Sequence, residues 1–228
     1  MRFIMTVLLI FTLTACAGKD NRPFDIKNLA KSDIDLVTDI HIEQIRKLTR
    51  RLIIKLYKRN PRELKKNSGM TIDARLSQLM TVDRPKHGFQ ELGNMDGVEA
   101  LPLAFSKEFE GDRVFALMAG ITGMLSASYN NQLEFYILDE ISQQKLYNSA
   151  RNLETITWQL NNRRYDSGEL LLLTNGIDAN GVPNYSYERV LGQMILVQDM
   201  MAILVSDSTN RTINKVVQSV ASMTFIPI

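Results

Sequence analysis

Apolar residues recur along most of this chain at the three-and-four spacing of helices rather than the alternation of strands. Ser32-Asp33 supplies a helix N-cap, and Ile34, Ile45, Leu48, Leu52, Ile53 and Leu56 then fall on one side when laid out at about 100° per residue. The pattern predicts a long amphipathic helix. Asn60-Pro61-Arg62-Glu63 offers an Asn cap, Pro at the first helical position and Glu at the third, which ends that helix near Arg59 and starts a short one. Thr71 to Met80 is a further short helix. Val82 to Gly97, with Pro85, Gly88, Gly93 and Asp96-Gly97, reads as an irregular connection.

A second helical block opens after Gly111-Asp112 and runs to about Tyr129, apolar on most sides and therefore central. Its small residues Ala116, Ala119, Gly120, Gly123 and Ala127 let another backbone approach closely, which the charged start at Asp112-Arg113 turns toward packing within the fold. Leu146, Ala150, Leu153, Thr157 and Leu160 mark a seam on a helix from about Leu138 to Arg164. Tyr165 to Asn184 reads as a helix end plus loop, with an Asn-Gly hairpin as the alternative. Ser186 to Ser206 is read as a buried core helix, because Glu188, Arg189 and Asp199 interrupt it too often for a membrane span. A last helix from about Thr209 to Met223, carrying Ile213, Val216, Val217 and Val220, leads to an apolar end at Phe225 to Ile228 expected to dock on the core. Together these elements predict an all-α, single-domain helical bundle of about six to eight helices.

Composition narrows the chemistry. The chain has 228 residues, 45% of them hydrophobic and 23% charged, which suits a folded globular body. One Cys excludes a disulfide framework and a cysteine-based zinc site, and two His leave little material for metal or acid/base chemistry. A net charge of +2 argues against nucleic acid as a partner. No cofactor fingerprint, nucleophile elbow, phosphate-binding loop or zinc motif is present.

The N-terminus carries an address. Arg2 precedes the apolar run Phe3 to Leu13, broken only by Thr6 and Thr12, and the charges at Lys19, Asp20 and Arg22 follow too soon for a spanning helix of roughly 20 residues. Leu13-Thr14-Ala15-Cys16 resembles the lipobox of bacterial lipoproteins. The resemblance covers the signal alone and implies removal of residues 1–15, acylation of Cys16 and export to the periplasm. Ala17-Gly18-Lys19 after the Cys, in place of an Asp, implies the outer membrane rather than the inner one as the destination. An ordinary cleaved signal with a chance Cys is the alternative. Residues 16–32 then form a tether reaching roughly 50 Å at about 3.3 Å per residue, and residues 33–228 form the helical domain.

Three groups invite a chemical reading. In Asp39-Ile40-His41-Ile42-Glu43 the two acids share one helix face while His41 is rotated about 200° from each, so the three do not converge as ligands. His87, on the Pro85 to Gly88 loop, has no nucleophile motif beside it. Asp178-Ala179-Asn180-Gly181 resembles a calcium loop, but Gly176 stands at the first ligand position and Tyr187 at the twelfth, so it reads as a turn. The nine Met of the mature chain are core filler, or the lining of an apolar cavity.

The most informative constellation is basic. Arg46, Lys47, Arg50, Arg51, Lys55, Lys58, Arg59, Arg62, Lys65 and Lys66 meet one acid, Glu63, between residues 46 and 66. On the wheel most of them oppose the apolar stripe, so the first helix presents a positive outer face. The expected function is a lipid-anchored, non-enzymatic binding or scaffolding module of the cell envelope, its basic face meeting an acidic protein, an anionic lipid or an envelope polymer. A solvated face with acids brought near by folding, a helical carrier of an apolar ligand, and an unrecognised envelope hydrolase or transferase around His87 are the alternatives.

Overall fold

The computed structural model describes residues 31–177, 180–215, 221 and 223–228. The leader, Cys16 and most of the tether lie outside the described residues, as do Asp178, Val216, Val217 and Val220. Seven α-helices and one two-stranded antiparallel pair make up the regular structure described, a helical bundle as the periodicity predicts.

Helix α1 spans Asp33–Arg59. Ser32 starts it with a reciprocal capping box: its hydroxyl accepts from the Asp35 N–H, and the Asp35 carboxylate accepts from the Ser32 N–H at 2.7 Å. Asp33 and Asp35 in the first turn and Lys58 and Arg59 in the last complement the helix dipole. The stop at Asn60 has another origin than the expected side-chain cap. Asn60 is buried; its amide donates to the carbonyls of Leu56 and Leu173 at 2.9 Å each and accepts from the Leu173 N–H at 2.7 Å. The residue that ends α1 therefore stitches it to the Leu170 to Leu173 stretch. Pro61 then opens the short α2, Pro61–Lys65.

Helix α3 spans Ile72–Met80 behind a Thr71 cap. The connection from Val82 is irregular as expected, with an isolated antiparallel bridge between Phe89 and Met95 and 3-10 turns at Gln90–Leu92 and Gly97–Ala100. It runs into α4, Leu101–Phe105, a five-residue helix that the periodicity did not reveal.

Helix α5, Arg113–Ser128, is central: Val114 through Ala119 have no solvent exposure. Asp112 caps it, accepting from the Phe115 N–H at 2.9 Å. Its small residues serve packing within the molecule. A Cβ at Gly123 would stand 2.6 Å from the backbone nitrogen of Gly97, and one at Gly120 would collide with Leu101.

Helix α6, Gln143–Asn162, begins five residues later than its apolar seam suggested, because Ser142 provides the cap and 138–141 belong to a loop. Beyond it no helix continues into the Leu170 to Leu173 run. The hairpin alternative exists in minimal form, β1 at Gly176–Ile177 paired with β2 at Pro183–Asn184.

Helix α7, Ser186–Thr209, is the one described helix long and apolar enough to cross a membrane. It is instead built into the body. Met194 and Val205 have no exposure, the fully buried Gln198 accepts from the Tyr129 hydroxyl at 3.0 Å, and Asp199 pairs with Arg151 at 2.6 Å. The reading of α7 as a wholly buried core helix is corrected: Leu196, Met200, Ile203 and Leu204 face outward. Between Met194 and Val205 only Gln198 and Asp199 interrupt the apolar residues, which leaves little of a sequence stripe from which to tell the two sides apart.

α7 runs antiparallel beside α1, with Lys55 at Ser186 and His41 at the backbone of Val197. The predicted last helix does not begin at Thr209. Asn210 adopts the left-handed conformation, φ 54°, that terminates helices, and 211–215 are irregular. The apolar end docks as expected: Phe225 is buried, and Asn152 brackets Ile226 by accepting from its N–H at 2.8 Å and donating to its carbonyl at 2.7 Å.

Candidate functional site

The ten cations of the basic run divide into two sets. Some are drawn into the fold. Arg46 donates to the Met80 carbonyl at 3.0 Å, and Arg62 reaches the Leu171 carbonyl at 3.3 Å beside the Tyr165 ring. Lys66 bonds the Glu63 carboxylate at 2.8 Å and the Gly111 carbonyl at 2.9 Å. Lys55 donates to the Ser186 hydroxyl at 2.7 Å and lies over the Tyr187 ring; burial, and then the neighbouring Arg51 charge, push its pKa down. Lys47 stays on the surface and pairs with Glu43 at 2.6 Å, an exposed contact of small energetic weight.

The second set is Arg50, Arg51, Lys58, Arg59 and Lys65. All five are exposed, and none pairs with a carboxylate among the described residues. Arg50, Arg51 and Lys58 fall within about 100° of one another on α1, directly opposite Leu52, Ile53 and Leu56. The positive face is thus narrower than the sequence suggested, because half of its members bond carbonyls, hydroxyls or acids of the molecule itself.

The histidines sit apart from one another. His41 is half-buried against α7 with its Nδ1 unpartnered, and burial lowers its pKa although the Val197 backbone contact works the other way. Asp39 pairs with Lys31 and accepts from the Phe135 N–H at 2.9 Å, while Glu43 belongs to Lys47. The three do not converge, and among the described residues no three His, Cys, Asp or Glu side chains are grouped to hold a metal ion.

His87 is exposed at the rim of an open cleft of about 880 Å³ between the Pro85 to Glu99 connection and α5. Gly123 and Ala127 line its floor, and Pro227 and Ile228 close one side. Asp96, which lines the cleft with Glu99, has both carboxylate oxygens engaged by Arg84, which also donates to the carbonyls of Leu79 and Ala119 and to the Thr122 hydroxyl. Of the calcium-like turn, Gly176 lies in β1 and Tyr187 is buried in α7, its hydroxyl donating to the Lys55 carbonyl at 2.8 Å.

Sequence reasoning missed a buried polar network. The Arg75 side chain, with no solvent exposure, lies 3.9 Å from the centre of the Phe115 ring and forks onto Glu91 at 2.6 and 2.8 Å, with Asp112 at 3.3 Å. Asp112 also accepts from the Tyr57 hydroxyl at 2.9 Å. Burial raises the Asp112 pKa, against the opposing pull of the Phe115 N–H and Arg75, and burial followed by the Asp112 charge raises that of Tyr57 strongly. Burial works against the Arg75 charge, but Glu91 and Asp112 outweigh it and hold the guanidinium protonated. Nearby, buried Glu63 accepts from the Arg113 N–H at 2.9 Å, and Arg113 itself donates to the carbonyls of Ala104, Ser106 and Lys107 and to the Tyr165 hydroxyl. One signal was available: Arg75 stands at the i+3 position of an apolar stripe formed by Ile72, Leu76 and Leu79. The network ties α1, α3 and α5 to one another, and Glu91 and Asp112 reach the wall of a small half-open pocket of about 150 Å³ beside Lys66.

A half-open pocket of about 50 Å³ lies between α1, α3 and α5, lined by Ile42, Leu79 and Leu125 among others. Scans against family models, curated proteins and solved structures each return no match.

Proposed function

We propose that this chain is a lipid-anchored, periplasm-facing protein of the outer membrane that acts as a non-enzymatic binding or scaffolding module through the cationic face of α1. The observation that carries the reading is the set Arg50, Arg51, Lys58 and Arg59, exposed on one rigid helix without acidic partners among the described residues. In this reading the lipobox-like Leu13-Thr14-Ala15-Cys16 supplies the anchor, and residues 16–32 are the tether between it and the folded body. Charges held that close to a surface act at an effective concentration that free protein would not reach. The partner is an anionic surface: an acidic protein, a lipid headgroup layer or an envelope polymer.

The carrier reading is less favoured, since the half-open pocket between α1, α3 and α5 is only about 50 Å³, against roughly 300 Å³ at which ligand pockets begin, and the larger cleft under His87 is open to solvent. An enzymatic reading has one observation in its favour, the cleft under His87, which offers a histidine but no nucleophile positioned by it.

Two measurements test the proposal. Metabolic labelling with a fatty acid should mark the wild-type chain and not Cys16→Ala; an unlabelled wild type, or a Cys16→Ala variant still labelled, refutes the anchor. Reversing Arg50, Arg51 and Lys58 to Glu should abolish capture of the partner, and unchanged capture refutes the surface.

A further inference from the structure

The α1 face is continuous with a second feature that its charges do not explain. α1 and α7 lie antiparallel in one layer, fixed by Lys55 at Ser186, the Tyr187 hydroxyl on the Lys55 carbonyl, and His41 at Val197. Laid out at about 100° per residue from those contacts, Arg50, Arg51 and Lys58 of α1 and Leu196, Met200 and Ile203 of α7 all turn to the same side of the layer, away from the core. That side is cationic toward the end of α1 and apolar from Leu196 to Ile203 of α7, with Glu43 paired to Lys47 between the two and the exposed Asp33 and Asp207 at the apolar end. Leu196, Met200 and Ile203 are 58%, 48% and 56% exposed, and Ile40 of α1 beside them is 47% exposed.

We infer that this outer α1–α7 face is a second, non-covalent membrane contact: it lies flat on an anionic bilayer, with the α7 side chains entering the interface and the α1 cations over the headgroups. The inference deepens the proposed function by naming the partner of the α1 face, and it rests on that reading.

Two observations favour a lipid surface over a protein. An interfacial helix combines an apolar stripe with neighbouring Lys and Arg, the combination these two helices share between them. The described chain enters the fold at Lys31 and Ser32, at the same end of the layer as Ile40 and Ile203, so the segment leading back to Cys16 leaves from beside the apolar half. An anchored chain therefore brings this face to the bilayer without a large loss of freedom.

The test uses the purified full chain reconstituted into vesicles. An Ile203→Cys variant labelled with an environment-sensitive fluorophore reports whether α7 enters the interface, and a Glu99→Cys label on the far side is the control. In vesicles containing phosphatidylglycerol the label at 203 should shift to the blue and be quenched by nitroxide-bearing lipids, and the label at 99 should do neither. Adding Arg50→Ala and Arg51→Ala should reduce the inserted population roughly thirtyfold, since each cation near such a surface is worth about one power of five. A label at 203 that stays in water refutes the inference, as does equal insertion into pure phosphatidylcholine. A blue shift that appears without vesicles and grows with protein concentration assigns the face to a second copy and also refutes it. Mass spectrometry of the same sample reports acylation of Cys16 separately. An unacylated chain whose label still enters anionic vesicles overturns the anchor and keeps the face; an acylated chain whose label stays in water does the reverse.

Discussion

Replacing Arg75 by Met removes a charge from the place where the molecule can least replace it. The side chain has no solvent exposure, and the Asp112 carboxylate 3.3 Å away is 2% exposed. Without the guanidinium, Asp112 keeps only its bonds from Tyr57 and the Phe115 N–H and becomes a buried charge short of a counter-ion. Breaking one partner of such a pair typically costs about 3–5 kcal/mol. The lower end applies here, because Glu91, the other partner, is 29% exposed and can turn to water. About 3 kcal/mol in a chain of this size corresponds to a melting temperature lower by roughly 6–12 °C, readable by thermal or urea unfolding followed by circular dichroism. The pH dependence identifies the cause. Burial raises the Asp112 pKa above its unfolded value, so this group favours the folded state when protonated and loses that contribution as pH rises through the folded pKa. Removing Arg75 raises that pKa further. The deficit of the variant should therefore be largest near neutrality and shrink on acidification, and Asp112→Asn should abolish most of the difference between the two pH values. A neutral Arg75→Met substitution, or a deficit that does not change with pH, would refute the charge argument.

Two other perturbations follow from contacts already described. Gly123→Ala places a Cβ 2.6 Å from the Gly97 nitrogen, a backbone atom that cannot rotate away, and should destabilise the fold by about 1–3 kcal/mol in the same unfolding assay, whereas Gly192→Ala, with open space around it, should not. Burial lowers the His41 pKa below its ordinary 6.5, so its neutral form favours folding; that contribution is complete above the unfolded pKa and lost as pH falls through the folded one, and a His41→Gln variant should show a flatter melting temperature between about pH 7 and 5.

Most of the helical scaffold was legible because its boundaries are written in adjacent residues. Ser32 with Asp35, Thr71 and Asp112 each cap through a bond to a backbone N–H within three residues, the range over which sequence alone carries geometric information. Three boundaries were less legible although their signals are local. The start of α6 was placed by its apolar seam rather than by Ser142, α4 is too short to show a period, and the break at Asn210 depends on a left-handed backbone that any Asn can adopt or refuse. The cationic run was visible, but which of its members remain free was not, since Arg46 and Arg62 are claimed by carbonyls 34 and 109 residues away. The same limit hid the Arg75 network, whose four charged or hydroxyl-bearing members come from four separate segments.

The joint at Asn60 bears on the order in which the chain folds. Its bonds to Leu173 bridge 113 residues of sequence, and closing a loop of that length costs about 4 kcal/mol in chain entropy. Two hydrogen bonds, each worth about 1 kcal/mol, cannot drive that closure. The stitch therefore closes only where the packing of apolar helix faces has brought its two sides together, and it fixes the junction of α1 and α2 rather than starting the assembly.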